Sequence, residues 1–425
     1  MTSAILLVFI TGYLLITLEH IIKINKVAFA LVTGVVCWTI YILSPSGKEN
    51  VLHQLAEHLG DISGILFFLL GAMTIVELID AHNGFDLVTE KIYATDKKKL
   101  IWIISFISFF LSAVLDNLTT TIVMVSLIKK IIADKNDRLF FAGMIVIAAN
   151  AGGAWSPIGD VTTTMLWIGG QITAGSIMAK LLIPSLVCLF TPLLVMHFSL
   201  KGKITKPAQS TTKLTSTKAR ERNIIFFLGL VLLIAVPVFK TMTHLPPFMG
   251  MLLSLGIMWI VTEIIHSGKS SEDKDFLSVV YALRKIDTPS ILFFLGILLS
   301  VAALQSTGQL LQASAWLSNT LKNESLISIT IGLFSAVVDN VPIVAAVQAM
   351  YPLEHYPTNH YLWEFLAYTT GTGGSVLIIG SAAGVAAMGI EKINFFWYIK
   401  KISLWALIGY FAGAAVYIIQ NAFLS

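Results

Sequence analysis

The chain has 425 residues, of which 56% are hydrophobic and only 12% are charged, and its formal net charge is +4. Soluble domains carry about a quarter charged residues, so this composition excludes a globular protein that covers its surface with charge. Long apolar runs, at 4–18, 27–43, 62–76, 224–239 and 402–422, exclude a transmembrane β-barrel, whose strands would be short and alternating. We therefore predict an all-α polytopic membrane protein that contacts membrane lipids and binds no nucleic acid.

The first predicted element, at 4–18, is a retained transmembrane helix rather than a signal peptide. No Lys or Arg precedes it, and Glu19 and His20 stand where a small-residue cleavage site would be. The two cysteines, Cys37 and Cys188, fall inside apolar segments, so neither a disulfide framework nor a metal cluster is expected.

Three sequence motifs occur twice, in the same order and at a nearly constant offset. The run Ile-Leu-Phe-Phe-Leu that begins at residue 65 recurs at residue 291, and Ser-Ala-Val-Leu-Asp-Asn at residue 112 recurs as Ser-Ala-Val-Val-Asp-Asn at residue 335. A Gly pair followed by Ile-Gly occupies 152–159 and again 373–380. Such internal repetition predicts two structurally related halves. The predicted parts are an N-terminal helix and cytosolic turn (1–26), a first repeat (27–200), a basic cytosolic linker and connecting helix (201–246), and a second repeat (247–425).

The distribution of basic residues predicts that the two halves have opposite orientations. Lysines at 97–99 precede the segment of Asp116, and further basic residues follow it at 129–138, so both flanks are predicted to be cytoplasmic. The matching segment of Asp339 has a single lysine upstream, and residues 351–360 contain neither Lys nor Arg, so its flanks are predicted to be external. A repeated unit that enters the membrane from one side in the first half and from the other side in the second is typical of the inverted-topology repeats of secondary transporters.

Because each of these segments begins and ends on one side, 100–128 and 325–350 are predicted to be re-entrant hairpins rather than spans. The complete topology has about ten transmembrane helices, two hairpins and both termini outside. The basic residues that it leaves outside are Lys48, Lys180, Lys240 and Lys322.

Three carboxylates, Asp116, Asp160 and Asp339, lie deep in apolar sequence. An aspartate at the centre of a bilayer costs about 2.5–3.5 kcal/mol on the insertion scale, so a lipid-facing structural role is implausible and an ion or proton site is expected. The alternative is that each carboxylate caps a helix through backbone N–H groups.

Two segments are predicted to be helices broken in mid-membrane. In 150–164, a Gly pair and Pro157 interrupt helical hydrogen bonding, and 371–381 forms the matching break. Unwound backbone at this depth must line an enclosed or watery cavity. Hairpin tips and helix breaks expose oxygen ligands, which small hard cations prefer. One predicted half-site contains Asp116, Asn117, Asp160 and Thr162, and the other contains Asp339, Asn340, Thr372 and Ser375.

The predicted site is asymmetric, because the repeat partner of Asp160 is Ser381. An enclosed carboxylate with no fixed cation nearby is disfavoured in its charged form and holds either a proton or a metal ion. If the carboxylate holds only one of the two at a time, and the site opens to each side of the membrane in turn, the protein exchanges metal ions for protons. The sequence does not rank the three aspartates in this role.

At these residues the sequence resembles the NhaD-type sodium/proton antiporters of the ion transporter superfamily, most specifically at 112–121, 150–164, 335–342 and 371–384. The resemblance implies a secondary transporter that exports Na⁺ or Li⁺ in exchange for protons. We expect it in the inner membrane, and the Ser, Thr and Lys content of residues 201–222 predicts that this segment is cytoplasmic. The resemblance implies no cofactor and a homodimer. The implied ion- or proton-binding residues are Asp116, Asn117, Asp160, Thr162, Thr163, Asp339, Asn340 and Ser375, with Na⁺ at Asp116, Asn117, Asp160, Asp339 and Asn340. The supporting polar residues are Ser112, Thr119, Asn150, Ser156, Ser335, Thr372 and Ser381.

Two other functions remain open at this stage. The superfamily also contains arsenite permeases and sodium/dicarboxylate symporters, although acidic hairpin tips would repel a dicarboxylate and favour cations. An intramembrane aspartyl protease also needs two membrane aspartates, but its Tyr-Asp and Gly-x-Gly-Asp signatures are missing from this sequence. The preference among Na⁺, Li⁺ and K⁺, the stoichiometry, the pH optimum and the aspartate that carries the proton stay open.

Overall fold

The computed structural model describes residues 2–43, 48–89, 92, 96–200, 202–205, 219–269, 275–337 and 339–424. Most of the predicted linker, at 201 and 206–218, and Val338 in the second hairpin motif lie outside these residues. Within the described ranges the fold is all-α and contains no strand, which confirms the predicted class.

The first half of the chain contains α1 (Thr2–Thr17), α2 (Lys26–Ile42), α3 (Lys48–Ala81), α4 (Lys97–Leu115), α5 (Asn117–Ile131), α6 (Lys135–Ala154), α7 (Val161–Ile168) and α8 (Ala174–Ser199). The second half contains α9 (Ala219–Thr243), α10 (Pro247–His266), α11 (Val279–Lys285), α12 (Thr288–Ser306), α13 (Gln309–Leu321), α14 (Glu324–Phe334), α15 (Asn340–Met350), α16 (Tyr361–Gly373), α17 (Ala382–Glu391) and α18 (Leu404–Leu424). Short helical turns occur at Glu19–Ile22, Asp86–Thr89 and Phe395–Tyr398, and a π-helical turn, Ile399–Ser403, leads into α18.

Seven helices in the described part of the chain are long and apolar enough to cross a membrane. Six of them, α3, α8, α9, α10, α12 and α18 with its preceding turns, are single crossings, whereas α4 is the first arm of a hairpin. The shorter apolar helices α1 and α2, and the two broken helices α6–α7 and α16–α17, bring the crossings to the predicted number of about ten.

The first hairpin, α4–α5, reverses at Asp116, whose backbone has φ 74° and ψ 163°. Its two ends lie together, because the Lys97 amide donates to the Gly202 carbonyl over 3.3 Å and the Ala133 amide donates to the Thr205 carbonyl over 2.8 Å. A residue other than glycine at positive φ is strained, so the surrounding contacts must hold this tip in place.

The second hairpin, α14–α15, has its ends near the opposite end of α8. A Glu324 carboxylate oxygen lies 3.9 Å from Nδ1 of His360, and the neighbouring Asn359 amide donates to the Gln171 carbonyl over 2.8 Å. Gln171 precedes α8, whereas residues 202–205 follow it, and a helix of 26 residues is about 39 Å long. The two hairpins therefore enter the fold from opposite ends of α8, as the inverted orientation requires.

The two halves pack into each other rather than side by side. The arm α5 packs against α17 of the other half, α15 packs against α7, and the broken helices α6 and α16 contact each other. The pairs α2–α12 and α3–α10 also join the halves. The site region is thus built jointly by both halves.

Equivalent contacts attach each hairpin to its broken helix. Ser112 Oγ donates to the Ala149 carbonyl over 2.6 Å, and Ser335 Oγ donates to the Thr370 carbonyl over 3.2 Å. A Cβ added to Gly152 would overlap the carbonyl oxygen of Phe109, and one added to Gly373 would overlap that of Gly332. The repeated serines and glycines therefore allow each hairpin to pack closely against its broken helix, at equivalent positions in the two halves.

Candidate ion-binding site

All three predicted aspartates cap helices, as the alternative interpretation of the sequence expected. Oδ1 of Asp160 accepts hydrogen bonds from the amide and hydroxyl of Thr162, over 2.9 and 3.0 Å. Oδ1 of Asp339 accepts from the Val341 amide over 3.3 Å. In both residues the cap uses one carboxylate oxygen, so Oδ2 is free to serve another group.

The second oxygen of Asp160 faces the tip of the first hairpin. Nδ2 of Asn117 donates to Oδ2 of Asp160 over 2.6 Å. Only 2% of Asp160 and 4% of Asn117 is exposed. A hydrogen bond to an ionised acceptor in such a buried place is stronger than a neutral one.

Asn150 links this pair to the second helix break. Its Oδ1 accepts from Nδ2 of Asn117 over 3.0 Å, and its Nδ2 donates to the hydroxyls of Ser375 and Ser381 over 3.0 and 2.9 Å. All four side chains are buried. The two breaks and one hairpin tip therefore share a continuous polar network.

A small cavity of about 30 Å³, here called the central cavity, brings both hairpin tips together. Its polar lining includes Asn117 and Asp160 from the first half and Asp339 and Asn340 from the second. This volume is enough for one water-sized occupant. Four side chains with oxygen atoms thus surround a space the size of a small dehydrated ion.

The central cavity is also lined by Ser290 and by Lys26, and Lys26 was not expected there. Its Nζ lies 2.9 Å from Oδ2 of Asp339 and 4.2 Å from the centroid of the Phe293 ring. The prediction that no fixed cation is near these carboxylates is therefore wrong for Asp339. The distribution of basic residues predicted that Lys26 lies in a cytosolic turn. Such a distribution predicts the side of the membrane on which a residue lies, but not the side chain that it contacts.

Asp116 does not line the central cavity. Both its carboxylate oxygens are engaged by Thr119, Oδ1 by the amide over 2.8 Å and Oδ2 by the hydroxyl over 3.0 Å. It lines a neighbouring cavity of about 20 Å³ together with Asp160. Asp116 therefore lies outside the cavity that Asp160 and Asp339 share, a difference among the three aspartates that the sequence did not predict.

Several other predicted side chains bond to backbone carbonyls. The hydroxyl of Thr163 donates to Asp160, that of Thr372 to Tyr368, that of Ser156 to Ala113, and that of Ser335 also to Gly332. These bonds, like that of Ser112, brace the breaks and the hairpins. A direct role of these residues in ion binding stays a prediction.

Two larger cavities lie against different parts of α3, one near its C-terminal end and one in its N-terminal half. The first, called the vestibule, measures about 440 Å³, and its charged lining residues are Glu19, Lys26, Glu77, Asp80, Lys285 and Asp287. The second measures about 400 Å³ and is lined by His58, Asp61 and three glutamines, Gln171, Gln305 and Gln348. Asp61 and Glu77 are 16 residues apart on one helix, or about 24 Å. The central cavity shares Lys26 and Phe293 with the vestibule, so its nearer access is from that side.

Sequence reasoning also missed the ion pair Lys180–Glu364. Oε2 of Glu364 accepts from Nζ of Lys180 over 2.8 Å and from the Tyr417 hydroxyl over 3.1 Å, and the Glu364 side chain is fully buried. The pair joins α8, α16 and α18, away from the central cavity. The only signal in the sequence analysis was that Lys180 was predicted to lie outside.

Comparison with known proteins gives a family model, curated relatives and a solved structure that each match most of the chain. A family model described as "Citrate transporter" (CitMHS) matches residues 5–373. Sodium/proton antiporter 1 of Arabidopsis thaliana is 48% identical over 98% of this chain and 72% of its own length. The Na(+)/H(+) antiporter NhaD of Vibrio cholerae is 31% identical over 98% of this chain and 91% of its own length. The crystal structure of the Alcanivorax borkumensis YdaH transporter shares the fold, with a TM-score of 0.58 at 11% identity over 90% of both chains.

Proposed function

The chain belongs to the CitMHS family and, within it, to the NhaD-type sodium/proton antiporters, and we propose that it exports Na⁺ or Li⁺ in exchange for protons. We propose further that Asp160 binds the cation and the proton in turn. The chain is a multi-pass membrane transporter, and this family membership removes the protease alternative. The remaining question is which groups carry the exchange.

The observation that carries the assignment is the burial of Asp160 beside Asn117 at the central cavity. A carboxylate that is almost fully buried is costly in its charged form unless a counter-charge is present. Asp160 therefore holds either a proton or a cation, but not both. For a cation to bind, the Asn117 amide turns so that its oxygen rather than its nitrogen faces the site. Asp339 and Asn340 supply oxygen atoms from the opposite tip.

The arrangement of cavities supports alternating access. The central cavity lies between the vestibule and the cavity against the N-terminal half of α3, so small movements of the hairpin tips would open it to one or the other. The moving units in this proposal belong to the two repeats, 27–200 and 247–425. We place the vestibule on the cytoplasmic side, because the basic flanks at 97–99 and 129–138 and the linker 201–222 favour that orientation in an inner membrane. The homodimer implied by the family is also part of the proposal.

Citrate, named in the description of the family model, fits this site poorly. A cavity of about 30 Å³ lined by two carboxylates and one ammonium has no room for a tricarboxylate and carries excess negative charge. The same argument disfavours a dicarboxylate. A small cation satisfies both the volume and the charge.

The test is a proton-flux assay in proteoliposomes, with wild-type, Asp160→Asn and Asp116→Asn proteins at matched amounts. Na⁺ addition should move protons in the wild type, and Asp160→Asn should abolish this movement. Asp116→Asn should keep it within about tenfold, because Asn is an equally good helix cap. Li⁺, K⁺, arsenite, succinate and citrate are titrated in turn. A stably inserted Asp160→Asn protein that exchanges at the wild-type rate would refute the assignment.

A further inference from the structure

We infer that Lys26 is a tethered cation that competes with the transported cation for Asp339, an inference that rests on the proposed function. The ammonium of Lys26 lies 2.9 Å from Oδ2 of Asp339, and both residues line the central cavity with Asp160. Oδ1 of Asp339 is occupied by the cap of α15, so Oδ2 is the oxygen available to a cation. The ammonium therefore occupies the place where an incoming cation would meet this carboxylate.

The backbone at Lys26 is fixed, whereas its side chain has a second environment to move into. The Lys26 amide donates to Oε1 of Glu19 over 3.1 Å, and Oδ1 of Asn25 caps α2 through the Val27 amide over 3.0 Å. The same side chain also lines the vestibule, where Glu77 and Asp80 supply further negative charge. Rotation about the side-chain bonds moves the ammonium from Asp339 toward these carboxylates without a change in the backbone.

Charge balance gives this movement its direction. Asp160 and Asp339 share one cavity and repel each other, and the Lys26 ammonium neutralises one of them while no cation is bound. A cation that enters the central cavity places a second positive charge beside Lys26, and the two repel each other across a poorly hydrated space. The incoming cation must therefore displace Lys26, which raises the concentration of cation needed to fill the site.

Among the described residues, Lys26 has no counterpart in the second half. The helix equivalent to α2 is α10, which begins at Pro247 and so presents no cation at the corresponding position. At the equivalent tip, Asp116 is satisfied by Thr119 instead. Lys26 thus controls the half of the site that the vestibule reaches, which makes loading from the vestibule dependent on a high cation concentration.

The experiment measures the thermal stabilisation of purified protein by Na⁺, with choline chloride replacing NaCl at constant ionic strength. A ligand that binds only the folded state raises the unfolding temperature, and the half-maximal concentration reports its affinity. Lys26→Gln removes the competitor, so its half-maximal Na⁺ concentration should fall at least fivefold. Lys285→Gln is the matched control, since it removes a positive charge from the same vestibule wall; it should change the value less than twofold.

Lys26→Arg provides a second variant if Lys26→Gln fails to fold. A guanidinium can pair with a carboxylate through two hydrogen bonds, so this variant should raise the half-maximal Na⁺ concentration at least twofold. An unchanged or higher value for Lys26→Gln, an unchanged or lower value for Lys26→Arg, or an equal fall for Lys285→Gln would overturn the role of Lys26. If wild-type protein shows neither Na⁺-dependent stabilisation nor Na⁺-driven proton movement, the proposed antiport fails instead, and the two failures are thereby distinguished.

Discussion

Nδ2 of Asn117 lies 2.6 Å from Oδ2 of Asp160, so the tip of the first hairpin and the break between α6 and α7 are joined at the carboxylate itself. Asn117 is the first residue of α5, which packs against α17 of the other half. A change of protonation or ion occupancy at Asp160 therefore acts directly on α5, which contacts both halves.

Asn117→Ala should weaken Na⁺ binding, because it removes both the hydrogen bond to Asp160 and the amide oxygen that the proposed site requires. A hydrogen bond to a charged group contributes about 1.5–3 kcal/mol, which corresponds to a rise of about tenfold or more in the half-saturating Na⁺ concentration for exchange. The control is Asn394→Ala, which removes an exposed helix cap that does not line the central cavity. It should lower stability by about 1 kcal/mol and leave the Na⁺ dependence unchanged. Equal Na⁺ dependence of Asn117→Ala and wild type would contradict the proposed ligand.

The glycines at the two breaks give a prediction about stability. Alanine at Gly152 or Gly373 would drive a Cβ into the carbonyl oxygen of Phe109 or Gly332, and such overpacking costs about 1–3 kcal/mol. Both variants should unfold at lower temperature in detergent. Gly256→Ala is the control, since a Cβ there meets nothing within 4 Å, and it should be neutral or stabilising. If all three variants unfold at the same temperature, the close approach of hairpin and broken helix does not explain why these positions are glycine.

The repeated motifs in the sequence coincide with the places where the structure tolerates few residue types. Ser112 and Ser335 each bond to the neighbouring broken helix, and Gly152 and Gly373 allow backbones to touch. These requirements are local and recur in both halves, so they leave a repeated signature from which the hairpins and the breaks were predicted.

The pairs that sequence reasoning missed join residues far apart in the chain. Lys26 and Asp339 are separated by 313 positions, and Lys180 and Glu364 by 184. Each pair depends on how the halves interlock, which neither hydropathy nor charge distribution encodes. The sequence could not predict that Asp116 lies outside the central cavity either, because this position depends on the direction of one side chain at a backbone with positive φ.

The opposite orientation of the hairpins predicts opposite labelling of their flanks. Lys130→Cys and Glu354→Cys place an exposed thiol after the first and second hairpin, respectively. The native Cys37 and Cys188 are buried, so background labelling should be low. In right-side-out vesicles a membrane-impermeant maleimide should label Glu354→Cys and spare Lys130→Cys, and in everted vesicles the pattern should reverse. Labelling of both thiols from the same side would remove the basis for an inverted pair.

A buried histidine pair beyond the C-terminal end of α3 predicts acid sensitivity. Nδ1 of His82 lies 2.7 Å from the Leu78 carbonyl, which only a protonated Nδ1 can satisfy, and Nε2 of His82 lies 3.3 Å from Nε2 of His266. While His82 is neutral, its Nε2 accepts a hydrogen bond from the protonated Nε2 of His266. Burial, opposed by the bond to Leu78 and reinforced by Lys269, lowers the pKa of His82 below its ordinary value.

Because the unfolded chain binds this proton more readily than the folded one, stability rises with pH through this range and is lost as the pH falls below about 6.5. The unfolding temperature of the wild type should therefore drop between pH 7 and pH 5, and His82→Asn should flatten the drop. The ion pair of Lys269 and Glu221 lies close enough to act on His82 electrostatically, with Lys269 lowering and Glu221 raising the pKa of His82. His244→Asn, at an exposed position after α9, should keep the wild-type slope. A slope that His82→Asn leaves intact would assign the acid sensitivity to other groups.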